Sequence, residues 1–308
     1  MAASDQNDMS LVRRTVQELA VAVEEPPPQY VVDEMLVADE MPEPIPLIDL
    51  SRLTEADEAD KLRAVLQTWG LFLATNHGIE ESLMDAMMSA SMESRDFFMQ
   101  PYEEKQKYSN LIDGKHFQMK GHGNDKVVTP QDEGLSWNDR LHLRVEPEDE
   151  RNFAKWPTHP ESFRDVLHEY ASRTKRTRDL LLQSMAKLLD LDEDYFVNQI
   201  SNKASGFARF NYYPPCPRPD LVLGRKPHTD GGLLTILFVD QDVGGLQVER
   251  GGKLYNVPAK PYTLVNNVAD PTRLFGAARK IDSFSYLVSS RKSIWILSYS
   301  NNVYMKID

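Results

Sequence analysis

The sequence predicts an α+β protein in which a helical amino-terminal part precedes an antiparallel β-core. Three observations carry that expectation. Apolar residues recur near a 3.6-residue period up to about Ser205, they then give way to short alternating runs, and a glycine pair, Gly251-Gly252, separates two such runs where a hairpin turn belongs. Several short strands at close spacing imply a sandwich or barrel rather than an open parallel sheet.

Taken in order, Leu11, Val16, Leu19 and Val23 predict a helix over Ser10 to Glu25. Pro26, Pro27 and Pro28 end it, because proline has no backbone N–H and clashes with the preceding turn. An acidic, proline-dotted connector leads to Pro46. Ile45 to Leu50 reads as a short strand, Glu58 to Trp69 as an amphipathic helix, and Leu71 to Thr75, after the breaker Gly70, as a second strand. Glu80 to Phe98 predicts a methionine-rich helix whose thioethers fill gaps in the core. Residues 110–130 have no clear period and read as a loop or a weakly specified strand pair. From Pro160 to Leu189 the positions Phe163, Val166, Leu167, Tyr170, Leu181, Met185 and Leu188 fit one long helix, with Pro160 suited to its first turn. In the β-rich part Phe207 to Tyr212 alternates, Leu233 to Val239 is strongly apolar, and Gly245 to Val257 forms the hairpin. There is no internal repeat.

Composition narrows the function. A chain of 308 residues can bury a large core, and a formal net charge of -12 argues against nucleic acid or an anionic membrane as partner. Cys216 is the only cysteine, which excludes an internal disulfide and fits a reducing compartment. It sits in a proline-rich turn with no neighbouring base and reads as structural. The first residues lack the apolar stretch of a secretory signal, and no run approaches the roughly 20 apolar residues that span a bilayer. These features predict a cytoplasmic protein, a monomer by default.

Chemistry enters at Lys226 to Phe238, KPHTDGGLLTILF. Residues i and i+2 of a strand share a face, so His228 and Asp230 can converge on one ion. An imidazole with a carboxylate suits Fe(II) better than a closed thiolate zinc site. The other histidines precede the β-core without ligand spacing. His77 reads as a turn or core residue, and His116, His122, His142, His159 and His168 as structural or exposed.

With those motifs on the page, the chain resembles the plant-type 2-oxoglutarate- and iron-dependent dioxygenases, the group that includes isopenicillin N synthase. The resemblance runs to about Asp270. It rests on Ile45-Pro-Leu-Ile-Asp-Leu50, Trp69-Gly-Leu-Phe-Leu-Ala-Thr-Asn-His-Gly78, Phe97 to Tyr108, Asn211-Tyr-Tyr-Pro-Pro-Cys-Pro217 and Pro227-His-Thr-Asp230. It implies a double-stranded β-helix (jelly-roll) core wrapped by helices, with a connector over 1–44, a dioxygenase amino-terminal domain over 45–155, a support helix over 156–200 and the oxygenase core over 201–308. It also implies Fe(II), 2-oxoglutarate and O2 acting on a small specialised metabolite or hormone, by hydroxylation, demethylation or desaturation, with ascorbate as a reductant. By the same resemblance His228 and Asp230 are metal ligands, while Asn211 and Tyr213 match the Asn-x-Tyr whose tyrosine reaches 2-oxoglutarate. Substrate contacts are expected from 110–130, from Trp137 to Leu143 and from the tail.

The pattern breaks after Asp270. The family's second histidine belongs near Ser285, but no histidine follows His228. Asp282 is a substitute third ligand, and Arg291-Lys-Ser293 echoes the Arg-x-Ser that holds the distal carboxylate of 2-oxoglutarate. The expectation is therefore a truncated, aberrant carboxy-terminal part, a core incomplete at its C-terminal strands and impaired activity. The alternative is a catalytically inactive isoform or small-molecule-binding pseudoenzyme. A hydrolytic zinc site at the same pair ranks last, because no positioned glutamate base accompanies it.

Overall fold

A computed structural model describes residues 15–33, 38–41, 43–93, 97–98, 100–112, 116–126, 128–129, 131–201, 205–228, 230, 233–239, 245–268, 283–286 and 294–302. Its first helix, α1 (Val16–Ala22), is started by a capping box: the Glu18 N–H donates to the Thr15 hydroxyl, and the Thr15 N–H donates to the Glu18 carboxylate at 2.8 Å. The helix stops at Ala22, a turn short of the expected Glu25, and Val16 and Leu19 pack with Tyr30, Trp137, Cys216 and Val222 in a small satellite core.

β1 (Leu47–Asp49) pairs in parallel with β2 (Leu71–Thr75), joined by α2 (Ala56–Thr68), whose Leu62, Val65 and Leu66 are buried. α3 (Glu81–Glu93) buries Met84 and Met87 completely, as its methionines predict. After the short α4 (Tyr102–Gln106), the region read as irregular contributes β3 (Leu111–Ile112), β4 (His116–Phe117) and β5 (Gly121–Gly123). β6 (Asp139–Glu146) follows, then the long α5 (Phe163–Leu188) and α6 (Tyr195–Ser201). α5 lays Phe163, Leu167, Tyr170, Leu181, Leu182 and Met185 into the main core.

The β-core consists of β7 (Ser205–Tyr213), β8 (Arg225–His228), β9 (Leu234–Val239), β10 (Leu246–Arg250), β11 (Lys253–Asn256), β12 (Leu264–Val268), β13 (Ser283–Tyr286) and β14 (Ile294–Asn302). The β10–β11 turn is Gly251-Gly252, both in the left-handed region at φ 61° and 74°, as a tight hairpin demands. One sheet runs β1-β2-β12-β9-β14-β7-β6-β5 and the other β11-β10-β13-β8. The two sheets form the jelly-roll.

This order corrects one expectation. The core is not left incomplete at its C-terminal strands. β14 lies between β7 and β9, antiparallel to both, and β13 lies between β10 and β8. Residues that depart from the sequence motif still supply backbone partners on both sides.

Candidate metal centre and the arginine cluster beside it

β8 ends on His228, and Asp230 follows one residue beyond Thr229, which lies outside the described residues. The His228 Nε2 is 3.7 Å from Asp230 Oδ1. Each side chain is oriented from behind. His228 Nδ1 faces the Lys226 carbonyl at 2.9 Å, so a proton on Nδ1 leaves the lone pair on Nε2. Asp230 Oδ2 accepts from the Asn267 amide of β12 at 2.8 Å. Burial, and then the charge of Arg225, lower the His228 pKa to about 4, so the imidazole is neutral at ordinary pH.

The donor set fits Fe(II) in part. One neutral imidazole and one carboxylate converge, but among the described residues no group of three His, Cys, Asp or Glu side chains is suited to hold a metal. β13 runs beside β8 with Phe284 as the register partner of His228, one position from the expected Ser285. The substitute ligand Asp282 and the pair Arg291 and Ser293 lie outside the described residues. In addition, Arg225 Nε donates to His228 Nε2 at 2.8 Å, on the lone pair a metal would take.

Asn211 and Tyr213 share one face of β7 and are almost fully buried. Asn211 Oδ1 accepts from Arg209 Nε at 2.7 Å and from Asn138 Nδ2 at 3.4 Å. His77 is a satisfied core residue: Nδ1 accepts from the Ile79 N–H, and Nε2 meets the Tyr262 carbonyl at 3.1 Å. His168 stays at the surface against Arg151.

Sequence reasoning missed β6. Its signal was present, since Arg140-Leu-His-Leu-Arg-Val-Glu146 alternates polar and apolar residues. Leu141, Leu143 and Val145 enter the main core, while Arg140, His142 and Arg144 stand on the opposite face, in register with Asn211, Arg209 and Phe207 of β7. Asp125, just after β5, gathers this face. Arg209 grips it bidentately at 2.7 and 2.9 Å, Arg140 Nε lies 2.6 Å from Oδ1, and Arg225 Nη1 is 3.5 Å from Oδ2. Partial burial opposes ionisation of Asp125, but Arg209, Arg140 and Arg225 together hold its carboxyl well below the usual range. Burial, and then repulsion from Arg209, push the Arg140 guanidinium down to about 9.

Comparisons with known proteins agree with this fold. Residues 45–161 match the non-haem dioxygenase in morphine synthesis N-terminal family, and 204–280 match the 2OG-Fe(II) oxygenase superfamily. The chain is 33% identical to 2-oxoglutarate-dependent dioxygenase 11 of Oryza sativa subsp. japonica, across 81% of this chain and 69% of that one. It is also 33% identical to Protein SRG1 of Arabidopsis thaliana, across 89% and 78%. Among solved structures, JOX2 in complex with 2OG, Fe and JA superposes with a TM-score of 0.82 at 31% identity, over 96% of this chain and 84% of that one. The strand order, the His228–Asp230 pair and these relatives lead to one conclusion: the chain belongs to the plant 2-oxoglutarate- and Fe(II)-dependent dioxygenases.

Proposed function

We propose that the chain carries out Fe(II)- and 2-oxoglutarate-dependent oxidation of a small specialised metabolite or hormone, by hydroxylation, demethylation or desaturation, and that turnover is impaired by a two-ligand metal site. The observation that supports the impairment is the register of β13. It puts Phe284 across from His228, and no histidine follows His228 in the sequence.

In this reading His228 Nε2 and Asp230 hold the iron, Asn211 and Tyr213 flank 2-oxoglutarate, and Arg291 with Ser293 takes its distal carboxylate. Bound iron supplies the oxidising power, drawn from O2 and the decarboxylation of 2-oxoglutarate, with ascorbate as reductant. The chain's own residues set how readily the site loads. The Lys226 carbonyl holds the proton of His228 on Nδ1, and Asn267 fixes the free rotation of Asp230. Arg225 must swing off Nε2 before that nitrogen can bind a metal.

That last contact also supports a second reading, a pseudoenzyme that binds small molecules without turnover. An anaerobic titration with Fe(II) and 2-oxoglutarate separates the two, followed by succinate release on admitting O2. A saturable charge-transfer band lost in His228→Ala, with slow succinate release, is the expected result. A folded protein with neither band nor succinate would leave the pseudoenzyme.

A further inference from the structure

Two buried oxygens close to the metal pair lack partners, and they belong to residues that face each other. Asn267 of β12 and Thr235 of β9 are register partners in an antiparallel pair, so both side chains project from one face of the larger sheet. That face serves the site, since the Asn267 amide donates to Asp230 Oδ2 at 2.8 Å. Both residues are 2% exposed. Yet neither Thr235 Oγ1 nor Asn267 Oδ1 has a hydrogen-bond partner among the described residues. Isolated orphans of this kind are costly, and two on facing residues call for one explanation.

The sheet offers these atoms to each other and to little else. The other register partner of Asn267 is Leu71 of β2, whose side chain has no polar atom. Asn266, next along β12, stands on the opposite face with Phe72 and Ile236. The direction of the Asn267 amide is decided at its other end. A carboxylate demands a donor, so Nδ2 faces Asp230 and Oδ1 turns away from it. Residues directly across an antiparallel pair have Cβ atoms about 4.5–5.5 Å apart. No direct bond joins Thr235 to Asn267, and that spacing suits a single water with a polar partner on each strand.

We propose that Thr235 is a positioning residue for the metal site: one water shared by its hydroxyl and Asn267 Oδ1 locks the amide, and the locked amide holds Asp230. The water accepts from the Thr235 hydroxyl and donates to Asn267 Oδ1, which gives both orphaned oxygens a partner. Asp230 Oδ2 is thereby occupied, and Oδ1 is the oxygen turned toward His228 Nε2, at 3.7 Å. An amide turned end for end would set one oxygen against another and release the carboxylate to rotate. The inference deepens the reading of this pair as an iron centre and rests on it for the nature of the ion, whereas the lock itself forms without metal.

The test therefore begins with the metal-free full chain. Thr235→Val keeps the outline of the side chain and removes the hydroxyl. With the hydroxyl engaged, the melting temperature should fall by about 2 °C or more. In an Asn267→Ala background the same substitution removes a hydroxyl whose partner has already gone, so the fall should vanish. The second arm is Mn(II) binding, read from the electron-resonance signal of the free ion. The dissociation constant should rise about threefold or more in Thr235→Val, less than the roughly tenfold that loss of a ligand's own hydrogen-bond partner costs. Thr235→Ser restores the hydroxyl without the methyl group, and it should recover the affinity while the melting temperature stays low. Thr235→Ala set against Thr235→Ser makes the same comparison should the valine variant be insoluble. A raised melting temperature in Thr235→Val, an equal fall in both backgrounds, unchanged Mn(II) affinity, or no recovery in Thr235→Ser would each overturn the proposal. A wild type that binds no Mn(II) would instead sink the iron-centre reading, and the melting temperatures would still decide the lock.

Discussion

The two ends of the β-core make an instructive contrast. β7 and β8 carry both the backbone of the barrel and its recognisable motifs, with Asn211 and Tyr213 on β7 and His228 at the end of β8. β13 and β14 occupy equally central places, yet the histidine expected on β13 is missing from the sequence. A strand place needs a run that tolerates extended backbone and burial, which Ile294-Trp-Ile-Leu297 satisfies. A metal place needs one particular side chain at one position. The first requirement is met by many sequences and the second by few, so architecture outlasts chemistry when a segment diverges.

Removing the second end should be the most damaging change. A chain stopped after Tyr286 loses β14 and opens β7 and β9 together as unpaired edges, and the expected outcome is aggregation on expression, read by soluble yield. A soluble monomer with native circular dichroism would instead assign the barrel to the remaining strands. Next in size, Leu297→Pro places a residue without an N–H where the chain pairs with Phe210 on one side and Phe238 on the other. It should cost at least about 3 kcal/mol in urea unfolding.

A subtler change sharpens the contrast by giving the second end the chemistry it lacks. Residues directly across an antiparallel pair share a face, so Phe284→His supplies an imidazole on the face of His228. Fe(II) affinity should rise about tenfold or more, the scale on which a metal site responds to its ligand surroundings, with faster succinate release. No change in affinity would mean that iron binding does not depend on this register position. The smallest effect concerns His122, which is 2% exposed and lowered to about 3 by burial and then by the charges of Lys105 and Arg140. The unfolded chain takes up a proton near pH 6.5 that the folded one refuses, so stability is full above that pH and falls as pH drops below it. His122→Leu should remove about 1 kcal/mol of the loss between pH 6.5 and 5.5, measured by denaturant titration at each pH.

Much of the fold was legible because its signals are local. The strand Leu71–Thr75 appears with its expected limits, and the hairpin turns at Gly251-Gly252. The long helix runs from Phe163 to Leu188, within the expected span. The His228–Asp230 pair was legible for the same reason, being two residues apart in sequence, although β8 ends on His228. Tertiary events were less readable. β6 alternates polar and apolar residues, but its polar face is charged and buried, so Arg140 looked like surface until β7 lay beside it. Asp125 gave no sign at all, since its partners lie 15, 84 and 100 positions away. Likewise, the closure of the core by β14 rests on pairing with strands far back in the chain, which no local periodicity encodes.

The place of β14 also constrains how the molecule is made. It is the latest strand among the described residues, yet it sits in the interior of the larger sheet. During synthesis β7 and β9 emerge first, and neither can find its middle neighbour until residues 294–302 have left the ribosome. The nascent chain must therefore hold a cleft open between two apolar strands, the interval in which long-range β pairing is slow and exposed. Chaperone dependence should accordingly end with the release of these nine residues rather than grow steadily with chain length.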